Sequence, residues 1–358
     1  MKHTTIVLSI LSLLFTHIET DIGHPRQWLT GGVQQGVNLP PDSVLTGLMQ
    51  KHKVLALGIG AIENDKIKTT KVLGELKAGA PALVNTIFQV ASLTKPIVEI
   101  TTLRLVSQGL WSLDEPLYHY WTDPDVMNDP RSKLLTTRYV LAHQTGFVNW
   151  RWLHSTGKLT FDFEPGTKTQ YSGEGLEYLK HALETKFKMP LAAIVDKYLF
   201  KPDGMNETRF FWDDSIKEER YAVAHNRDEA PYEIRKNKET SAADLLMTTI
   251  HDYTLFGTNV LKKKGLSDKV WQDMICIQGK DQDSKFGLGW EVFNDLKNGE
   301  FALVHSGSDP GVRTIIILLP ESKRGLVIFT NSDSGMVLIR DIIKSSLDVG
   351  NELIEKAK

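Results

Sequence analysis

Ser92 and Lys95 are the residues of this chain best placed for covalent chemistry. They belong to the run Ser92-Leu93-Thr94-Lys95, which follows Phe88-Gln89-Val90-Ala91 and opens a stretch of helical apolar spacing. On a helix that begins at Ser92, Lys95 falls one turn later on the same face. An amine beside a hydroxyl can draw off its proton, and the free N–H groups of a helix N-terminus face an incoming oxyanion. The chemistry suggested is nucleophilic catalysis. The S-x-x-K spacing alone is weak evidence, because it recurs at Ser155-Thr156-Gly157-Lys158. That second copy sits in a polar loop with a glycine, where nothing fixes the lysine against the serine. A plain role for Ser92 is to cap the helix it precedes.

Two further segments carry reactive side chains. The first is Glu164-Pro165-Gly166-Thr167-Lys168-Thr169-Gln170-Tyr171-Ser172-Gly173-Glu174-Gly175, with Tyr171 at a loop-to-helix junction. The second is His305-Ser306-Gly307-Ser308, on or just after a late strand. Taken alone, Tyr171 reads as a half-buried aromatic with a bonded hydroxyl.

The elements that must position these groups follow from the apolar period. Residues 54–61 read as a buried strand, Asn64-Asp65 as a turn, and 66–73 as the hairpin partner. Helical spacing then covers 93–109, with Ile97, Ile100, Leu103 and Leu105 in the pattern and Gly109 as a stop. Helices are also expected at 136–143, 173–187, 191–199 and 241–261, with long polar connections at 123–133 and 213–240. Strands return at 286–294, 301–305, 312–319 and 325–331; the last two are rich in Ile, Leu and Val, as central strands are. Residues 336–356 read as a closing helix. Strands at both ends predict an α/β fold in which one sheet is built from both termini. The sheet lobe would take about 40–91 and 284–358, with a mainly helical lobe, about 92–283, inserted into it. A cleft between two such lobes is a usual small-molecule site.

With three motifs in this order, the chain resembles the serine β-lactamase and penicillin-binding-protein superfamily. That family carries S-x-x-K at the start of a central helix and Y-x-N on a loop of the helical lobe. It carries K-T-G or H-x-G on a sheet strand lining the cleft. Leu113-Asp114-Glu115-Pro116, Leu141-Ala142-His143-Gln144-Thr145-Gly146 and Phe286-Gly287-Leu288-Gly289-Trp290 are similar landmarks, so the resemblance covers about residues 40–345. It implies a β-lactamase-like fold, an antiparallel sheet flanked by helices. It also implies a serine hydrolase acting on a small-molecule ester or amide, or a peptide, through an acyl-enzyme.

The resemblance further implies roles. Ser92 would attack the carbonyl and Lys95 would help take its proton. Tyr171 would share the proton transfer; its phenol is a poor base unless a cation such as Lys95 lowers its pKa. The backbone N–H groups of Ser92 and Ser308 would form the oxyanion hole. His305, Gly307, Ser308, Gly173 and Arg313 would contact substrate. Two departures stand out. Gly173 occupies the asparagine position of Y-x-N, so the amide that bridges lysine and substrate is missing. His305 replaces the lysine of K-T-G, and a mostly neutral imidazole holds a carboxylate poorly. Arg313 is a candidate for the lost cation. The H-x-G form resembles the class C-related esterase, D-aminopeptidase and carboxypeptidase-like branches, and weak β-lactam hydrolysis is expected. The rival readings are a β-lactamase or cell-wall D-alanine carboxypeptidase, and a catalytically idle binding or sensing protein of the same fold.

Composition narrows the partners. In 358 residues, 42 basic side chains oppose 44 acidic ones, so nothing neutralises a phosphate backbone and nucleic acid is not expected. The single cysteine excludes an intrachain disulfide; Cys276, in Met274-Ile275-Cys276-Ile277, is expected to be a buried thiol. His119, Asp123 and Asp125 lack the spacing of a metal site, and neither a metal nor an organic cofactor is required by this chemistry. Gly58-Ile59-Gly60 lacks the third glycine of a nucleotide fingerprint and reads as close packing. Trp150-Arg151-Trp152 is expected near the cleft rim, shaping entry or packing between lobes. Lys2, His3 and the apolar run 6–15 read as a secretory signal over 1–22, ahead of a hydrolase domain at 23–358. The expected location is secreted or periplasmic, with membrane contact only through an uncleaved signal.

Overall fold

Alternating side chains on the late strands set the architecture. The computed structural model describes residues 36–279 and 284–357, so the expected targeting segment at 1–22 lies outside the described residues. The chain opens with helix α1 (Asp42–His52), then strands β1 (Ala56–Glu63), β2 (Lys66–Lys77), β3 (Ala80–Pro81) and β4 (Ile87–Gln89). Helices follow: α2 (Thr94–Ser107), α3 (Thr137–Leu141), α4 (Gly173–Phe187) and α5 (Leu191–Val195), the last running through a π turn at Asp196–Phe200 into α6 (Lys201–Asp203). Strand β5 (Met247–Thr249) precedes α7 (Ile250–Leu261) and α8 (Asp268–Ile275). The end of the chain supplies β6 (Glu291–Leu296), β7 (Glu300–Asp309), β8 (Val312–Leu319) and β9 (Arg324–Thr330), closed by α9 (Gly335–Ser346) and α10 (Gly350–Lys356).

The main sheet has seven strands in the order β3-β2-β1-β9-β8-β7-β6, and every neighbouring pair is antiparallel. Both faces of its centre are buried, which explains why β8 and β9 read as continuous apolar runs. Successive side chains point to opposite faces. Ile315, Ile317 and Leu319 enter the core shared with α1 and α9, whereas Ile316 and Leu318 enter the core shared with α2, α4 and α7. Gly60 of β1 lets α7 approach; a Cβ there would overlap the Thr254 side chain. A second, two-stranded sheet pairs β4 with β5.

Several boundaries differ from the sequence reading, each for a local reason. The stretch 241–261 is not one helix. Its first part is a turn with Leu245 at φ 71°, then β5, and the helix starts at Ile250 behind the Thr249 cap. The closing helix is two, broken at residues 347–349. Residues 286–290 form a turn rather than a strand, with the Gly287 N–H donating to the Trp290 carbonyl at 2.8 Å. Cys276 is exposed, not buried. It lies in extended backbone just past α8, between Ile275 and Ile277, which pack on the core and turn the thiol outward.

Candidate active site

A constrained turn presents Ser92. It sits in a 3₁₀ turn, Ala91–Leu93, that feeds α2 one residue later than the sequence suggested. Ala91 has φ 49°, a left-handed conformation that costs an alanine of order 1–3 kcal/mol and persists only where its surroundings enforce it. Those surroundings are visible. The Val90 carbonyl accepts from Thr314 Oγ1 of β8 at 2.9 Å, the Ala91 carbonyl from Thr94 Oγ1 at 2.7 Å, and the Leu93 carbonyl from the Tyr253 hydroxyl of α7 at 2.7 Å. The Ser92 turn is thus tied to the sheet and to α7 at once. The other S-x-x-K copy, at Ser155, lies exposed in a loop.

Lys95 is fully buried and its Nζ donates to Ser92 Oγ at 3.0 Å and to the Ala243 carbonyl at 2.8 Å. Burial pulls its pKa down to about 8; the nearby Asp244, Glu99, Asp309 and Glu177 pull the other way. About a tenth of the lysine is therefore neutral at pH 7. Tyr171 sits just before the Ser172 cap of α4, whose Oγ accepts from the Gly175 N–H at 3.1 Å. Its hydroxyl is hydrogen-bonded with Ser92, and its ring centroid lies 4.8 Å from Lys95 Nζ. The sequence reading looked to Lys95 to lower the phenol. Burial dominates instead and raises it, so Tyr171 rests as a neutral phenol. His143 supports the tyrosine from behind: its ring lies 4.4 Å from the Tyr171 ring and its Nδ1 accepts from the Ser172 N–H at 3.2 Å. Phe286 packs edge-on against the same imidazole at 4.7 Å. Two of the sequence landmarks therefore meet at Tyr171.

Strand β7 brings the segment from His305 to Ser308 alongside the Ser92 turn. A Cβ on Gly307 would overlap the Val90 carbonyl and stand 3.2 Å from the Ser92 nitrogen, so only glycine lets the strand come this close. His305 is buried on the same face, and desolvation followed by the Lys95 charge lowers its pKa to about 3. It is neutral. Its Nδ1 lies 3.0 Å from the Ser306 carbonyl and must carry the proton; Nε2 is then a bare acceptor with no partner among the described residues. Arg313 cannot replace the missing lysine. It pairs with Ser308 across the ladder, so its side chain leaves the sheet on the face opposite His305 and Gly307. There it is bound to Asp333 at 3.2 Å and to the carbonyls of Asp309 and Val312.

Gly173 has a physical explanation that the sequence did not reveal. A Cβ there would lie 2.8 Å from the Trp150 ring, so the indole occupies the space of the missing asparagine. Trp150 stacks on Trp152 at 4.8 Å and 9°, and Lys95 Nζ lies 6.0 Å from the Trp150 ring. Arg151, between them, binds Asp123, Asp125 and Glu174, which accounts for the acidic residues of that loop. A cavity of about 740 Å³ opens beside this wall, lined also by Gln89, Asp244 and Asp309. Neither aspartate was singled out in the sequence. Asp309 follows the third motif directly, while Asp244 comes from the misread turn before β5.

Comparison with known proteins agrees with this geometry. A β-lactamase family model matches residues 41–344. Esterase EstB of Burkholderia gladioli is 31% identical over 217 residues, covering 52% of this chain and 54% of that protein. Penicillin-binding protein 4* of Bacillus subtilis (strain 168) is 21% identical over 311 residues, covering 76% of this chain and 66% of that protein. The chain thus spans between half and two thirds of the length of these relatives. Among solved structures, D-alanine carboxypeptidase AmpC from Burkholderia cenocepacia superposes with a TM-score of 0.70 at 16% identity, covering 86% of this chain and 96% of that one. The octameric penicillin-binding protein homologue from Pyrococcus abyssi gives 0.69 at 20% identity, covering 82% and 73%. At these identities the structural likeness speaks for the fold. Since the family model spans most of the sequence and the three motifs converge on Ser92, the chain belongs to the β-lactamase family.

Proposed function

We propose that this protein is a serine hydrolase that cleaves an ester or amide through an acyl-enzyme on Ser92. The observation that carries the reading is the buried Lys95 ammonium, its pKa lowered into the working range, 3.0 Å from a serine hydroxyl that also bonds Tyr171. In the first half-reaction Ser92 Oγ bonds to the substrate carbonyl carbon while its proton passes to neutral Lys95. The oxyanion faces the backbone N–H groups of Ser92 and Ser308. When the tetrahedral intermediate collapses, the bond to the leaving group breaks and that group takes a proton from Lys95, with Tyr171 as the relay. Water then attacks the carbonyl of the acyl-enzyme ester and gives its proton to the same lysine; collapse breaks the bond from Ser92 Oγ to the acyl carbon, the acid departs, and Lys95 returns the proton to Ser92 Oγ.

The neutral His305 and the indole at the asparagine position argue for a substrate without a carboxylate beside the scissile bond. That favours the esterase or amidase reading over β-lactam hydrolysis. Intact-protein mass spectrometry after exposure to a fluorophosphonate and, separately, to a penicillin tests this, with Ser92→Ala as control. The expected result is one phosphonyl adduct on wild type, none on the variant, and no lasting penicillin adduct. A folded wild type left unlabelled by both reagents would overturn the hydrolase reading in favour of an idle binding protein.

A further inference from the structure

The cavity beside the nucleophile carries an electrostatic pattern that the proposed chemistry does not use. Asp244 and Asp309 meet there, and their carboxyls are hydrogen-bonded to each other. Each is held in place: Asp244 Oδ1 accepts from the Leu245 N–H at 2.8 Å and Asp309 Oδ2 from Gln89 Nε2 at 3.2 Å. The pair is coupled to the reacting centre by the chain itself. Asp244 follows Ala243, whose carbonyl binds Lys95, and Asp309 follows Ser308 at the end of the His305-Ser306-Gly307-Ser308 motif. Two other acids of this cavity are paired, Glu174 on Arg151 and Glu177 on Lys180, while Glu233 and Glu239 add further carboxylates to its lining. The same cavity is lined by the stacked pair Trp150 and Trp152, and Trp152 is 65% exposed, so indole surface is open to a ligand.

A second observation points the same way. His305 Nε2, 97% buried with its residue, is a bare lone pair beside Tyr171 with no partner among the described residues. Buried acceptors without donors are costly unless a ligand supplies the hydrogen. The reacting centre thus offers an imidazole acceptor beside Tyr171, and the adjoining cavity offers the two carboxyls and an aromatic face. Two carboxyls and a glutamine are too few oxygens for calcium or magnesium, and an aromatic wall suits an organic cation. Among the described residues, no cluster of three or more metal-binding side chains occurs.

Resting on the acyl-transfer reading above, we propose that this cavity selects substrates bearing a protonated amine, seated between the Asp244–Asp309 carboxyls and the Trp150–Trp152 wall. The ammonium donates to the carboxyls and presents its alkyl arm to the indoles. Burial, together with the neighbouring Asp244, pushes Asp309 up to about 8, so near neutral pH the empty pair shares a proton. An incoming ammonium takes that proton's place. The charges facing the pair are Lys95 on α2, Glu177 on α4 and Arg235 at the rim. Lys95 is the buried cation among them and is bound to Ser92 and the Ala243 carbonyl, while Arg151 and Lys180, which also line the cavity, are paired with Glu174 and Glu177.

The test compares p-nitrophenyl esters of ω-amino acids with two to six carbons against alkanoate esters of matched length. Wild type, Asp309→Asn and Asp244→Asn are assayed from pH 6 to 9. The readout is the amine-to-alkyl ratio of kcat/KM, which cancels changes in Lys95 common to both esters. The expected wild-type ratio exceeds tenfold for at least one chain length, arises mainly in KM, and grows with pH as long as the substrate amine stays protonated. It falls toward one in either variant. Butylammonium inhibits the wild type competitively, whereas butyrate and butanol do not; this arm needs no variant to fold. A wild-type ratio near one, or a ratio that both folded variants keep, overturns the inference while ester turnover leaves the hydrolase reading standing. No turnover of any ester, with Ser92 unlabelled by fluorophosphonate, overturns both.

Discussion

In the proposed reaction the buried lysine sets the pH profile of Ser92 acylation. With a pKa of about 8, neutral Lys95 rises from about one part in a hundred at pH 6 to half at pH 8, about a 50-fold gain. Between pH 8 and 10 only about a further twofold remains. A lysine at its ordinary value of 10.5 would instead give about a 75-fold gain over that upper interval. The two cases separate cleanly above pH 8. The assay is the second-order rate of fluorophosphonate labelling, read by intact mass, because a neutral probe brings no titration of its own. His143 and His305 do not interfere, since burial holds both below the range in which they would titrate here. Asp309 does titrate in the window, near pH 8, and its negative charge raises Lys95. Asp309→Asn should therefore bring the plateau to lower pH, not abolish it. A labelling rate that climbs tenfold per unit up to pH 10 would refute the idea that burial sets Lys95 as the base.

Three more outcomes follow from the same geometry. Gly307→Ala forces β7 away from the Ser92 nitrogen; labelling should slow at least tenfold, with about 1–3 kcal/mol lost in urea unfolding, and an unchanged labelling rate would contradict the close-approach argument. Glu99 is fully buried one turn beyond Lys95, and neither carboxyl oxygen has a partner among the described residues. Its folded pKa lies well above 4.5, mainly through desolvation, so its stabilising contribution is complete below pH 4.5 and is lost as pH rises toward the folded value. Glu99→Gln should then gain in Tm relative to wild type between pH 4 and 7, at most about 1.4 kcal/mol per pH unit, and a constant difference would show that Glu99 is not protonated by folding. His305→Lys restores a cation on β7, and penicillin turnover should increase roughly tenfold, the worth of one charge-assisted hydrogen bond; equal turnover would sink the carboxylate argument.

What the sequence disclosed, and what it hid, depends on range. Helix α4 was legible to the residue because its signals are local: a Ser172 cap and a regular apolar stripe to Phe187. Strand β8 was equally plain from its run of Ile and Leu. The turn before β5 was misread because its strand exists only through pairing with β4, some 160 residues earlier, while its apolar content mimics a helix. Ser92, Lys95, Tyr171 and His305 could be named from motif and order. Their supports Ala243 and Asp244 could not, since they reach the centre by tertiary packing alone, and Trp150, expected at the cleft rim, could not be foreseen against Gly173. Glu99 is different: its i+4 relation to Lys95 was available in the sequence and was passed over.

The strand order carries a consequence for synthesis. β1 lies between β2 and β9, with Leu57 opposite Thr330, about 270 residues later in the chain. On a ribosome moving at roughly 5–20 residues per second, the first hairpin waits about 15–50 s with one edge unpaired. Ser92 and Lys95 leave the ribosome early, yet Thr314 and Gly307, which pin and approach the nucleophile turn, come near the end. The nascent chain therefore holds Ser92 in an unfinished turn. Only when the last strands add to the sheet is the Ser92 turn completed, so a truncated product lacking β7 to β9 is born without the groups that the proposed chemistry needs.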